Sequence, residues 1–587
     1  MKGFYKRILI ADLNDRKSAI ESLPDSVYEK YLGGKGLGTY LLSQHNPRGV
    51  DPLDSGNCLI FCNGPITGSS IWGSSRYGVF TKSPLTGFYS EAYSGGKVPE
   101  AIDATGFDAV VLTGTSEKPI VMEISPDGAV FHDAADLWGT DTFQTEDQVV
   151  DRFGNADMKK RGAVVIGPAA EKGVRFAVIE NDYWRSAGRT GPGAVMGSKK
   201  VKAILFQGNR TRPLADPEGV KAFAKEIAER GKEDPTVEAY KTLGTSMMVM
   251  ICNLFGTFPA QYWSRGSVDH WEQISAEALH SRCEVKPRAC AKCFMACGRM
   301  TTVLEGRHRD LHVEGPEYET IYAFGGLCMV DSIEEIVYLN HLCDSLGMDT
   351  MTAGNLCGLT IEAVKEGKVN YEIDYGNVDG IAELLRLIAK REGIGEILSQ
   401  GIIPAAKEWN MEDRAVHVKG LEPAGYDPRV LKGMGLAYAV SDRGACHLRS
   451  TFYKPELSGM IPPDQVEDKA ALFIDFEDRL TLFDTLILCR FYRDMYLWDE
   501  LATIIGTVTG SSEDKGSLTM RAATVSNLVR HFNIREGLTI DDDTLPQWFY
   551  RHSLEKGSIT EEELTKMRAD YYRLRNWDEK GRPRGGV

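Results

Sequence analysis

The chain has 587 residues, a net charge of −15 and 42% hydrophobic residues, so it is a globular protein too long for one core. Its acidity excludes nucleic acid and anionic membrane surfaces as main partners, and it has no run of about twenty apolar residues to span a bilayer. Twelve cysteines, behind an N-terminus that turns polar too soon for a secretory signal, point to a reducing, cytoplasmic setting where thiols serve metals or chemistry.

Residues 1–207 read as mainly β. Short apolar runs recur at Arg7–Ile10, Cys58–Phe61, Ala109–Leu112 and Ala163–Ile166. A hairpin is predicted from Ile120–Ile124, the turn Pro126-Asp127-Gly128 and Ala129–His132. Between the runs lie glycine-rich stretches read as loops: Gly33–Gly38, Asn63-Gly64-Pro65, Tyr93–Gly96 and Ala187–Gly193. None has the G-x-G-x-x-G form between a strand and a helix, and no P-loop is present. Their number suggests backbone amides lining a large polar ligand with phosphates. Arg76, Lys82, Arg185 and Arg189 set cations beside these glycines, which suits anionic ligand groups.

From about residue 210 the pattern becomes helical. Asp216-Pro217 predicts a helix start and Gly231 its end. The stretch Arg288–Met300 then holds Cys290, Cys293 and Cys297 in a C-x2-C-x3-C run. Three thiols this close suit an iron–sulfur cubane whose fourth ligand lies far away in sequence. A rival reading takes Cys290 and Cys293 with His308 and His312 as a structural zinc site, which leaves Cys297 unused. Glu314–Thr320 leads into the apolar run Ile321–Cys328. A helix starting at Asp331 or Ser332 has Ile333, Ile336, Val337, Leu339, Leu342 and Leu346 as its buried stripe and stops at Gly347. Ala382–Glu392 is a further helix, closed by Gly393.

The last third begins near 416. It contains Ser441-Asp442-Arg443-Gly444-Ala445-Cys446-His447-Leu448-Arg449, a helix-like run Asp475–Cys489 and a capping box at Thr560 and Glu563. The tail from Gly581 is expected to be loose. Asp344-x-x-Gly347-Met348-Asp349 is echoed by Asp484-x-x-Ile487-Leu488-Cys489, a repeat suited to the two halves of a pseudo-symmetric ligand.

Taken together, SSRYGVFTKSPLTG, AGRTGPGAVMGSK, the cysteine run, GPEYET, the two Asp-x-x motifs and RGACHLR resemble the tungsten-containing aldehyde ferredoxin oxidoreductase family over nearly the whole chain. The resemblance implies an α+β fold with a β-rich cofactor-cradling domain (1–207) and two mainly helical domains (208–415 and 416–587). It implies tungsten on two pterins, Mg2+ bridging the pterin phosphates, and a [4Fe–4S] cluster. Cys489 would complete that cluster with Cys290, Cys293 and Cys297. Asp344, Asp349 and the backbone of Met348 would hold one pterin, and Asp484 with the backbone of Leu488 the other; ionised carboxylates suit its adjacent N–H groups. Arg76 would lie between cluster and pterin. Tyr93, Gly95, Arg185, Ser186, Gly188 and Arg189 would line the cofactor from the β domain, and Arg443 and Arg449 from the last domain.

Three departures stand out. Ile487 replaces the glycine of the second motif, so a relaxed or different turn is expected there. Tyr93 stands where asparagine is common, and Arg449 where lysine is usual. No Glu-x-x-His pattern lies near Glu334 or Glu335, which puts an iron-bridged homodimer in doubt and favours a hetero-oligomer with a small ferredoxin-like iron–sulfur subunit.

The implied activity is oxidation of aldehydes to carboxylic acids, with electrons leaving through the cluster to ferredoxin or that subunit. Glu317 is the expected general base, with a pKa raised by burial, and Glu319 its nearest alternative. His447 would stabilise charge at the carbonyl oxygen. The alternatives are a tungsten subunit of a benzoyl-CoA reductase-like complex and a zinc-stabilised scaffold. Tungsten and molybdenum are not distinguished by sequence.

Overall fold

The computed structural model describes residues 1–585, and the last two residues lie outside it. The N-terminal third contains twelve strands: β1 (Arg7–Asp12), β2 (Lys17–Ser22), β3 (Leu59–Cys62), β4 (Tyr77–Lys82), β5 (Tyr89–Ser94), β6 (Ala109–Thr113), β7 (Ile120–Ser125), β8 (Gly128–Asp133), β9 (Lys160–Val165), β10 (Ile179–Asn181), β11 (Arg185–Ala187) and β12 (Val201–Gly208). They form two six-stranded sheets, β2-β1-β6-β3-β4-β5 and β8-β7-β12-β9-β10-β11.

The two sheets have one topology used twice. Each opens with a hairpin, β1/β2 or β7/β8. The first hairpin strand pairs in parallel with the last strand of its half, β6 or β12. That strand pairs antiparallel with β3 or β9, and two further antiparallel strands complete the sheet. A helix precedes β3 (Gly34–His45) and β9 (Thr142–Phe153), and another precedes β6 (Val98–Ala104) and β12 (Pro192–Ser198).

The apolar runs are the central strands of these sheets, buried on both faces. Alternate residues divide between two cores. Leu59 and Phe61 face the second sheet together with Val110, Ile204 and Phe206, and the rings of Phe61 and Phe206 are 6.0 Å apart. Ile60 and Val111 face outward onto Phe483, Leu486 and neighbouring helices. The predicted hairpin is present. Gly33–Gly38 is not a loop: Gly34 opens the helix ending at His45. A third sheet, Cys283–Arg288, Gly298–Val303 and His312–Glu314, carries the cysteine loop between its first two strands.

The helix capped by Asp216 runs to Lys232, past Gly231, because Gly231 leaves room for the Phe294 ring; a Cβ there would lie 2.6 Å from it. The helices Ile333–Leu346, capped by Ser332, and Glu561–Leu574, with its Thr560/Glu563 capping box, form as expected. The tail is tied down as far as it is described: Arg530 Nε donates to Gly581 O (2.8 Å). Among the described residues, no helix is long and apolar enough to cross a membrane.

The two Asp-x-x motifs are matching helix ends, one for each sheet. Ile333–Leu346 stops at Gly347 (φ 76°, ψ 50°), and Lys469–Leu486 stops at Ile487 (φ 61°, ψ 48°). Met348 N donates to Cys343 O (2.9 Å) and Leu488 N to Phe483 O (2.7 Å). Ile487 therefore keeps the glycine conformation; the turn is neither relaxed nor different, contrary to expectation. Each end packs on a glycine of its own half-sheet. A Cβ on Gly64 would lie 1.9 Å from Leu486 O, and one on Gly167 2.4 Å from Leu346 O. Both glycines precede a proline just after β3 or β9. Nine residues beyond each (73 − 64 = 176 − 167 = 9) a carbonyl takes the next N–H of the motif: Cys489 N to Gly73 O (2.9 Å) and Asp349 N to Phe176 O (3.2 Å).

Ile487 is buried over these loops. Ile487→Gly is expected to destabilise the fold by about 2 kcal/mol in denaturant unfolding. It relieves about 1–2 kcal/mol of left-handed strain but removes a buried side chain worth about 2–5 kcal/mol.

Candidate active site

All four predicted cluster cysteines line one cavity of about 310 Å3, together with Arg76, Arg185, Glu314 and Asp344. The other eight cysteines of the chain are buried, and these four are not. Gly73 joins the two segments that carry them: its N–H donates to Lys292 O (2.7 Å) and its carbonyl accepts from Cys489 N (2.9 Å). Tyr492 adds a second tie, accepting from Phe294 N (3.0 Å) with its hydroxyl 3.6 Å from Cys293 Sγ. Three of the four thiols come from one short loop and the fourth from far along the chain, and all line this one cavity.

The zinc alternative is not favoured, because the cavity that Cys290 and Cys293 line includes neither His308 nor His312. His308 Nε2 is 2.8 Å from Glu335 and its ring stacks on Tyr338. His312 Nδ1 is bonded to Thr302 (2.8 Å). Glu334 and Glu335 are likewise engaged within the chain, by Arg282 and by Arg307 with His308.

A second cavity, of about 350 Å3, shares Arg76, Tyr93, Ser186, Glu317, Glu319, Asp349, Met351 and Phe491 with the first. Gly188, Arg189, Arg443, His447, Arg449, Asp484 and Leu488 also line it. Gly95 and Met348 line the first cavity, so every predicted site residue lies at this pair of cavities. Gly95 is a close approach: a Cβ there would lie 2.9 Å from Cys290 Sγ.

The two helix ends carry different charge environments. Asp484 is met by Arg449 (2.8 Å) and Arg490 (2.5 Å), and Arg449 also bonds Glu91. Arg449 thus joins two carboxylates through one nitrogen, Nη1. Burial opposes charge on Glu91, but Arg449, Lys35 and Arg443 overcome it and hold its carboxyl below the usual range. Tyr93 lies under Arg449 (5.2 Å to the ring centroid) and its carbonyl accepts from Arg76 (3.3 Å). Asp344 has no such cation: Asn340 Nδ2 donates to it (2.8 Å), while burial and then Glu314 push its carboxyl well up. Asp349 caps the helix Thr350–Lys365, accepting from Met351 and Thr352 N–H, with Arg189 Nε at 3.4 Å.

Glu317 and His447 line the same cavity, each with its own nearest partner. Glu317 accepts from Thr245 Oγ1. His447 Nε2 lies 3.3 Å from Glu319 Oε1, out of line for a hydrogen bond. Glu319 Oε2 accepts from Gly425 N (3.0 Å). Burial raises Glu319 to about 8, with Gly425 N–H and Arg189 only partly offsetting it. Burial, then Arg189, Arg443, Arg449 and Arg490, hold His447 well below its usual range and therefore neutral at pH 7. Cys446, next in sequence, is lowered to about 6: burial raises it, but Arg443 (Nη2 3.0 Å away) and Arg449 prevail. The sequence reading passed over Cys446, Glu180, Glu91 and Arg490.

The aldehyde ferredoxin oxidoreductase N-terminal domain profile matches residues 8–208, and the profile for domains 2 and 3 of that family matches residues 222–586. The chain belongs to the aldehyde ferredoxin oxidoreductase family. It is 34% identical to the tungsten-containing aldehyde ferredoxin oxidoreductases of Pyrococcus furiosus and Thermococcus kodakarensis, over 99% of this chain and 98% of each relative. The family is one of oxidoreductase enzymes. Its fold is also that of a solved structure, the active site complex BamBC of benzoyl coenzyme A reductase with 1,5 dienoyl-CoA. That likeness has a TM-score of 0.87 at 22% identity and covers 99% of this chain and 96% of the other.

Proposed function

We propose that the protein is a tungsten bis-pterin enzyme that oxidises aldehydes to carboxylic acids. Electrons would leave through a [4Fe–4S] cluster to ferredoxin or a ferredoxin-like subunit. The observation that carries this reading is a thiol-ringed cavity that shares a wall with a cavity holding a carboxyl–imidazole pair. Four thiols lining one cavity, three from one short loop and one from far away in sequence, fit a cubane. Two buried carboxyls on duplicated helix ends fit two heterocycles with adjacent N–H groups. Mg2+ between the pterin phosphates belongs to the same proposal by family likeness.

When bound, the tungsten centre supplies two-electron oxidation of the carbonyl carbon. Cys290, Cys293, Cys297 and Cys489 would hold the cluster, and Arg76 stands between it and the second cavity. Asp344 and Asp484 orient the pterins from opposite halves. Neutral His447 would donate its ring N–H to the carbonyl oxygen of the substrate. The aldehyde and one water give the acid, two protons and two electrons; Glu319 takes one of those protons, and its proximity to His447 favours it over Glu317. Tyr240, Tyr426, Tyr453 and Phe491 supply an apolar wall for the substrate's organic part.

Anaerobically purified protein is expected to contain about one tungsten and about four irons per chain. It should reduce a viologen dye with acetaldehyde or benzaldehyde. Metal-loaded protein inert toward both aldehydes, yet active with an aromatic thioester, would replace this reading with the ring-reducing one that the BamBC fold likeness allows.

A further inference from the structure

Register alignment of the duplicated sheets exposes a carboxylate with no counterpart. Cys62 and Val165 each lie two residues before the glycine of their Gly-Pro turn. Cys62 pairs with Gly78, which pairs with Tyr93. Val165 pairs with Glu180, which pairs with Ser186. Glu180 therefore occupies the place of Gly78, and Ser186 that of Tyr93. In the first half the Phe80 and Tyr93 rings take the space over Gly78, where a Cβ would lie 2.7 Å from Phe80 Cε2 and 3.1 Å from Tyr93 Cε1. In the second half the large and small residues are exchanged, and the side chain that reaches the cavity is an acid.

Glu180 is 1% exposed, lines the cavity beside Asp344, and its Oε2 has no hydrogen-bond partner. No cation pairs with it, whereas the first half neutralises Asp484 with two arginines. Burial, then repulsion from Asp344, pushes the Glu180 carboxyl well up. A buried, unpartnered carboxyl is unfavourable unless something donates to it. A heterocyclic edge with adjacent N–H groups does so, and two neighbouring carboxyls accept more of that edge than one.

We propose that Glu180 is a second carboxyl acceptor in the seat built on β7–β12, sharing with Asp344 the N–H edge of one pterin, an inference that rests on the bis-pterin reading above. The two seats then differ in kind. One offers two carboxyls without cations, and the other a carboxyl already bound by Arg449 and Arg490.

The test is pterin retention. Wild-type, Glu180→Gln and Glu180→Leu proteins are incubated anaerobically in mild urea, and pterin released with time is measured by fluorescence after oxidation. Iron content reports whether the fold and cluster survive. Release from Glu180→Gln is expected to be about tenfold faster than from wild type, and from Glu180→Leu faster still, with iron unchanged. Release at the wild-type rate from the isosteric Glu180→Gln protein overturns the proposal. Wild-type protein that carries tungsten and iron but no pterin overturns the bis-pterin reading itself, and this inference with it.

Discussion

Glu319→Gln is expected to lower kcat for aldehyde oxidation by about 10²–10⁴-fold while leaving tungsten, iron and pterin contents unchanged. Glutamine has the same shape, and its carbonyl still accepts from Gly425 N–H (3.0 Å in the parent). What it loses is the exchangeable proton 3.3 Å from the His447 ring. Burial raises Glu319 to about 8, so its carboxyl is protonated in the folded protein at pH 7. As a base it must first lose that proton, so kcat/KM should rise with pH through about 8. His447, held neutral, contributes no opposing limb in that range. In Glu319→Gln the limb should vanish. Glu317→Gln, whose parent carboxylate is already engaged by Thr245, should cost less than about tenfold. If the two variants exchange these outcomes, Glu317 is the base that the sequence first suggested.

The fold was legible where strands are continuous apolar runs, as β3 and β6 are; β4 is as completely buried, but its Tyr-Gly-Val-Phe-Thr-Lys sequence is no such run. It was hidden where they are not. β2 is polar and fully exposed, and β10 and β11 have three residues each. The duplication was invisible because the halves share almost nothing except the glycine that lets a helix end approach. Glycines also misled: Gly34 and Gly231 serve helix packing, not turns. At the site, cysteine spacing and the paired Asp-x-x motifs were informative because each has a covalent or backbone requirement. Cys489 as the fourth ligand came only through the family resemblance. Glu180 left one faint signal, a single carboxylate closing the apolar run Phe176–Ile179. The choice between Glu317 and Glu319 was unreadable, because two residues of spacing near a helix start do not determine which carboxyl meets a histidine about 130 positions later.

Cys489→Ala should strip the cluster: bound iron is expected to fall from about four per chain to below about one after anaerobic desalting. Three thiolates from one short loop leave a corner of a cubane open, and the missing ligand is the only one from the C-terminal segment. The more discriminating variant is Gly73→Ala, which keeps all four thiols. Gly73 has φ 82°, where alanine is strained by about 1–2 kcal/mol. A Cβ there would also lie 2.7 Å from the Tyr492 ring. Moving Gly73 loosens its bonds to Lys292 O and Cys489 N, and moving Tyr492 loosens its contacts with Phe294 N and Cys293. Either way the two ligand-bearing segments separate. Gly73→Ala should therefore lose iron to a chelator about tenfold or more faster than wild type, with unchanged far-ultraviolet circular dichroism. The counterpart in the other half, Phe176, makes the equivalent backbone bond to Asp349 while carrying a large side chain. Phe176 does so without the positive φ of Gly73, so the glycine is required both by its left-handed turn and by the packing of Tyr492 against the cysteine loop. Full iron retention in Cys489→Ala would remove the C-terminal segment from the cluster. Full retention in Gly73→Ala alone would show that the thiols hold the two segments together without this clamp.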